Sequence, residues 1–143
     1  MKNTLITLMM AAGASFAFGH GEIEVGPNDG RILEFSKNET MHGEVTQKDG
    51  KLHIAVLDKD MKPVAVDAQT LTAMAGTRAE PVKLEVEKVD GGFLVNEPGA
   101  GEWLIVQFKE SADAAPITAR MNYNTKECEP CKSPEWRCQC SKK

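Results

Sequence analysis

Lys51-Leu-His-Ile-Ala-Val-Leu57 is the stretch that decides the fold. Leu52, Ile54 and Val56 fall on one side of an extended chain, and His53, Ala55 and Leu57 on the other. That period of two is the signature of a β-strand with one face on a core. Asp49-Gly50 stands directly before it. Glycine accepts the positive φ of a tight hairpin turn, so the preceding run His42 to Gln47 is expected to pair with it.

The same rhythm extends outward in both directions. Gly26-Pro27-Asn28-Asp29-Gly30 is a turn cluster, and Arg31 to Phe35 a first strand. Beyond the turn Asp58 to Pro63, short strands are expected at Val64 to Asp67 and Thr70 to Met74. Val82, Leu84 and Val86 alternate with charges, as a half-exposed strand does. Asp90-Gly91-Gly92 turns the chain into Phe93 to Val95. Trp103 to Phe108 is almost wholly apolar and reads as a central buried strand. Ile117, Ala119, Met121 and Tyr123 alternate as the last strand. No segment carries a convincing helical period. About nine short strands between frequent turns predict an all-β, immunoglobulin-like antiparallel β-sandwich, residues 20–123, with a short Cys-rich tail, residues 124–143. At 143 residues the chain suffices for one domain with a real core.

The first nineteen residues read differently. Lys2 is followed by the apolar run Leu5 to Phe18, too short for a membrane span of about 20 residues. Two small-x-small sites follow, Ser15-Phe16-Ala17 and Ala17-Phe18-Gly19. Residues 1–19 are therefore expected to be a secretory signal, cut before Phe18 or His20. That places the protein in the periplasm or outside the cell, with no membrane span after cleavage. Losing Lys2 leaves 16 basic against 21 acidic residues, a net charge of −5. This excess of acid argues against nucleic acid and anionic membranes as partners.

All four cysteines lie in Cys128-Glu-Pro-Cys131-Lys-Ser-Pro-Glu-Trp-Arg-Cys138-Gln-Cys140. In an oxidising compartment such a set forms two disulfides, and three pairings are open. Pairing Cys138 with Cys140 would strain a very small ring, so pairing across the two arms is easier. The other reading is metal. Cys128 and Cys131 form one chelating arm and Cys138 and Cys140 a second, and soft thiolates suit Cu(I) and Zn(II). Lys132 and Arg137 would flank the site and favour thiolate. A thiol-disulfide exchange role fits less well, because C-x-x-C is redox-active at a helix N-terminus, and this one follows an all-β body.

His20 adds a possible ligand. If it begins the mature chain, its α-amino group and imidazole form a chelate. His42, beside Met41, is a candidate copper ligand, though ordinary surface placement accounts for it. His53 is read as a histidine satisfied within a sheet. Met61, Met74 and Met121 are scattered and read as core or edge residues. There is no G-x-S-x-G, H-E-x-x-H or phosphate-binding glycine loop, so the chain is not read as an enzyme.

The segment Gly26-Pro27-Asn28-Asp29-Gly30-Arg31-Ile32-Leu33-Glu34, with the later Lys62-Pro63-Val64-Ala65 and the strand rhythm up to Phe108, resembles the small β-domain near the start of periplasmic adaptor subunits of heavy-metal efflux pumps. The likeness covers residues 26–108. Asp29 stands where that family carries glycine, and the adaptors' coiled-coil hairpin has no counterpart here. The resemblance implies metal handling outside the cytoplasm, with a heavy-metal efflux system as partner. It implies nothing about the cysteine tail.

Two functions follow as expectations. The first is an exported protein that sequesters or delivers copper or zinc through Cys128, Cys131, Cys138 and Cys140, with His20 a further ligand. The second is a disulfide-stapled extracytoplasmic binding or structural module without metal.

Overall fold

The computed structural model describes residues 23–140. The expected signal segment and His20 lie outside the described residues. Nine strands are present: β1 Arg31–Glu34, β2 Met41–Lys48, β3 Lys51–Asp58, β4 Thr70–Gly76, β5 Pro81–Leu84, β6 Val86–Val89, β7 Gly92–Asn96, β8 Trp103–Lys109 and β9 Ile117–Asn122. They form two antiparallel sheets, in the orders β1-β2-β3-β7-β6 and β5-β4-β8-β9. No helix among the described residues is long and apolar enough to cross a membrane.

The central strand β3 behaves as its alternation requires. Leu52, Ile54 and Val56 are fully buried, while His53 and Ala55 are only partly so. The hairpin with β2 closes at Asp49 and Gly50, whose φ angles are +51° and +75°. Facing Leu52, Ile54 and Val56 across the core are Leu104, Val106 and Phe108 of β8, with Leu71 and Ala73 of β4. Phe35 and Phe108 stack with ring centroids 4.4 Å apart, joining the segment after β1 to the second sheet. Gly43 makes room for this stack. A Cβ there would lie 2.3 Å from Cζ of Phe35, so no larger residue fits.

Three strand expectations change. Val64 to Asp67 is not a strand. The edges of β3 are already taken by β2 and β7. Only its far end is free, where Pro63 bridges Leu57 and the N–H of Val64 donates to the carbonyl of Val56. The single strand expected across Val82 to Val86 is two strands. β5 pairs with β4 in one sheet and β6 with β7 in the other, so the chain changes sheets at Glu85. Finally, β8 is central but buried on one face only. Trp103 and Ile105 point outward, 48% and 37% exposed, because no third layer covers that sheet.

The glycine-rich turn before β1 is clamped from below. Glu44 on β2 is completely buried and takes three donors: the N–H of Asn28 at 2.7 Å, Nδ2 of Asn28 at 2.7 Å and the N–H of Gly30 at 3.1 Å. A buried carboxylate is tolerated when its lone pairs are satisfied in this way. Asp29 adopts φ +57°, the left-handed conformation that aspartate accepts more readily than most residues.

Candidate metal centre

The tail leaves β9 at Tyr123 and returns to the sandwich. Its anchor is Trp136, in the single helical turn Glu135–Arg137, which is 2% exposed and belongs to the core. The indole packs against Tyr123, with ring centroids 5.8 Å apart. The backbone of Trp136 is held from both sheets. Its N–H donates to the carbonyl of Asn124 at 2.9 Å, and its carbonyl accepts from Nη1 of Arg31 at 3.0 Å. The Arg31 guanidinium is pulled below its usual pKa by burial. Nδ2 of Asn124 donates to the Glu135 carboxylate. The body therefore holds the tail by an aromatic side chain, as well as whatever its cysteines contribute.

The anchor fixes the geometry of the two arms. Cys128 to Ser133 makes a tight loop in which the N–H of Lys132 donates to the carbonyl of Cys128, and the N–H of Cys128 to that of Ser133, both at 2.8 Å. Lys132 turns the chain with φ +58°. Glu127 bridges to Pro134, and the chain then enters the Trp136 turn and emerges at Cys138. The six residues between the arms, Lys132 to Arg137, suffice for them to fold together because Trp136, the fifth of them, is fixed in the core.

All four sulfurs consequently lie within 4.8 Å of one another. No disulfide joins any two of them. Sγ of Cys131 and Sγ of Cys138 lie 3.2 Å apart across the two arms, too far for a disulfide bond. A tetrahedral ion with Zn–S bonds of about 2.3 Å needs sulfurs about 3.8 Å apart, so closure on an ion takes shifts of an ångström or less. Cys128 and Cys138 are half-buried, whereas Cys131 and Cys140 are exposed.

The sulfurs are not equivalent. Cys131 is drawn down to about 6, first by the thiol of Cys138 and then by the N–H of Ser133. Cys140 is pushed up to about 12 by its contacts with Cys138, Cys131 and Cys128. Cys128 is also raised, chiefly by Cys138, against a lowering by the N–H of Cys131. Of these three thiols, Cys131 is the one that is lowered. The expected help from Lys132 and Arg137 is not the source of that lowering. Lys132 faces Glu127 at 3.5 Å, and Nη1 of Arg137 reaches the carbonyl of Asp29 at 3.4 Å. The thiol of Cys138, from the other arm, and the N–H of Ser133 do that work instead.

The histidines stand apart. His42 is 4% exposed rather than on the surface, and its Nδ1 lies 2.7 Å from Oε1 of Glu34, its cross-strand partner. His53 sits partly buried opposite Thr46 and Leu94 in the sheet. Neither joins three or more potential ligands among the described residues, where the four cysteines are the group that does.

Glu44, Arg31 and Trp136 went unread in the sequence, and of these only Trp136 carried a local signal, as a lone large aromatic in a polar tail. The Gly26 to Gly30 turn also acquires a role. It faces the tail through Asp29 and, by way of Arg31, supports the loop between the arms. Comparisons with protein families, curated proteins and solved structures each return no match.

Proposed function

We propose that this chain is an exported metal-binding protein that holds one Cu(I) or Zn(II) through Cys128, Cys131, Cys138 and Cys140. The observation that carries the reading is the convergence of four sulfurs within 4.8 Å at the end of a β-sandwich. Four thiolates fill a tetrahedral shell and leave no open position for a substrate, which suits sequestration or delivery and not turnover. Exposed Cys131 and Cys140 are the ligands that an incoming or departing ion meets first. The signal-like residues 1–19 and the resemblance of residues 26–108 to efflux adaptors support a place outside the cytoplasm, with a heavy-metal efflux system as recipient. His20 would contribute only if it starts the mature chain.

The test is competition between reduced protein and a chromogenic chelator at neutral pH, with native mass spectrometry for stoichiometry. One ion per chain is expected. Cys128→Ser and Cys138→Ser should each weaken binding on the order of a hundredfold, since four thiolates share roughly 10–16 kcal/mol of binding energy. Affinity should fall as pH falls, because protons compete for the sulfurs. If both variants match the parent, the cysteines are not the ligands. If protein as isolated shows no free thiols and takes no metal after reduction, the stapled-module reading replaces this one.

A further inference from the structure

The outer face of the four-stranded sheet carries a trough that the cysteines do not line. Met74 on β4 pairs with Ile105 on β8, and Ile105 with Arg120 on β9. Trp103, two residues before Ile105, shares the same face. The turn from Gly76 to Pro81 raises one wall and Ala100 to Glu102 the other, enclosing about 780 Å³. That volume lies within the range of small-molecule sites, roughly 300–1,000 Å³.

The floor is apolar and exposed: Met74 is 39%, Ile105 37% and Trp103 48% accessible. Arg78 and Arg120 both line the trough. Neither forms an ion pair among the described residues. The carboxylate in the lining, Glu102, accepts the N–H of Gly99 at 2.7 Å and is engaged in its own turn. The chain as a whole is acidic, with a net charge of −4. Two guanidinium groups against one carboxylate leave the lining with a net positive charge over an apolar floor, which disfavours the cations that the acidic chain as a whole attracts. A guanidinium fork matches a carboxylate or sulfonate, and the indole offers a flat apolar face beside it.

We propose that this trough binds a small amphipathic anion, an aryl or alkyl carboxylate, with its apolar body on Met74, Ile105 and Trp103 and its acid group on Arg78 and Arg120. The inference does not rest on the metal reading.

Anilinonaphthalene sulfonate and decanoate are the probes, added to the full reduced chain, with tryptophan quenching and probe fluorescence as readouts. Saturable binding at one site is expected. The double variant Arg78→Gln, Arg120→Gln should lose about tenfold or more in affinity for both anions, and should bind neutral N-phenylnaphthylamine as the parent does. Trp103→Ala should lose both classes of probe. Cys128→Ser should bind them unchanged, which separates this site from the metal centre. Anion affinity unaffected by the double variant would overturn the proposal. So would a dimer in sedimentation that Trp103→Ala dissociates, since a second copy would then be the occupant. Binding to anionic phospholipid vesicles in preference to decanoate would overturn it as well.

Discussion

The sandwich and its tail are ordered by different means. Along β3, β4 and β8 the chain buries a side chain at every second position, and Leu52, Ile54, Val56, Leu104, Val106 and Phe108 are all sealed from water. From Asn124 to Cys140 one residue is buried, Trp136. The tail depends on one indole and four sulfurs. A change at the cysteines would therefore act on the tail first, and reach the body through Trp136 with its partners Arg31, Tyr123 and Asn124, and through the contact of Arg137 with Asp29.

The strongest way to break this contrast is Trp136→Ala. Removing a buried tryptophan costs about 3–5 kcal/mol. Denaturant unfolding should show the loss in the whole domain as one cooperative transition. A chain ending at Asn124 should lose a comparable amount, although the polar composition of the tail predicts independence. A cost below about 1 kcal/mol would make the tail an appendage. Next comes Glu44→Gln, which turns an amide N–H₂ toward donors and should cost about 3 kcal/mol for lost charge-assisted hydrogen bonds. Glu87→Gln on exposed β6 serves as the control, with no measurable change expected in the same assay.

Metal should sharpen the contrast further. Zn(II) added to reduced protein at about a hundred times Kd should stabilise it by about 2.7 kcal/mol. Calorimetry should show the rise in Tm for the parent and not for Cys138→Ser. If the parent's Tm does not move, the ion does not bind the folded state in preference to the unfolded one. The smallest effect concerns His53. Its pKa is lowered by burial and by Lys48, against Glu44. The folded state then binds fewer protons than the unfolded one below pH 6.5. Stability from this group is present above that pH and is lost as pH falls from there through the lower folded-state pKa. His53→Gln should flatten the slope of stability between pH 7 and 5, and an unchanged slope would assign it elsewhere.

Most of the strand pattern could be read because side-chain alternation is local. Lys51 to Leu57 announces its buried face within seven residues, and Asp49-Gly50 announces its hairpin. What could not be read depended on partners distant in sequence. Glu44 looks like an exposed acid until Asn28, sixteen residues earlier, and Gly30 deliver their N–H groups. Trp136 looks like part of a polar tail until Arg31, 105 residues away, claims its carbonyl. The change of sheet at Glu85 leaves no mark on the alternation of Val82, Leu84 and Val86, since each half remains an extended edge. The pairing of the cysteine arms was half visible. Their spacing announced two pairs, as chelating arms or as disulfides, but the indole between them, Trp136, was not read as the anchor.

The strand that changes sheets at Glu85 also has a mechanical meaning. Along that side the two sheets are one continuous piece of backbone, β5 running into β6, and they cannot separate there without bending the chain itself. On the opposite side β1 and β9 are neighbours from different sheets with no such covalent link. What spans that gap is the peptide of Trp136, tied to Arg31 on one leaf and Asn124 beyond the other. The molecule is built like a book, with its spine at residue 85 and its clasp at residue 136. The four sulfurs are mounted on the clasp, so pulling the two leaves apart should start at the cysteine cluster.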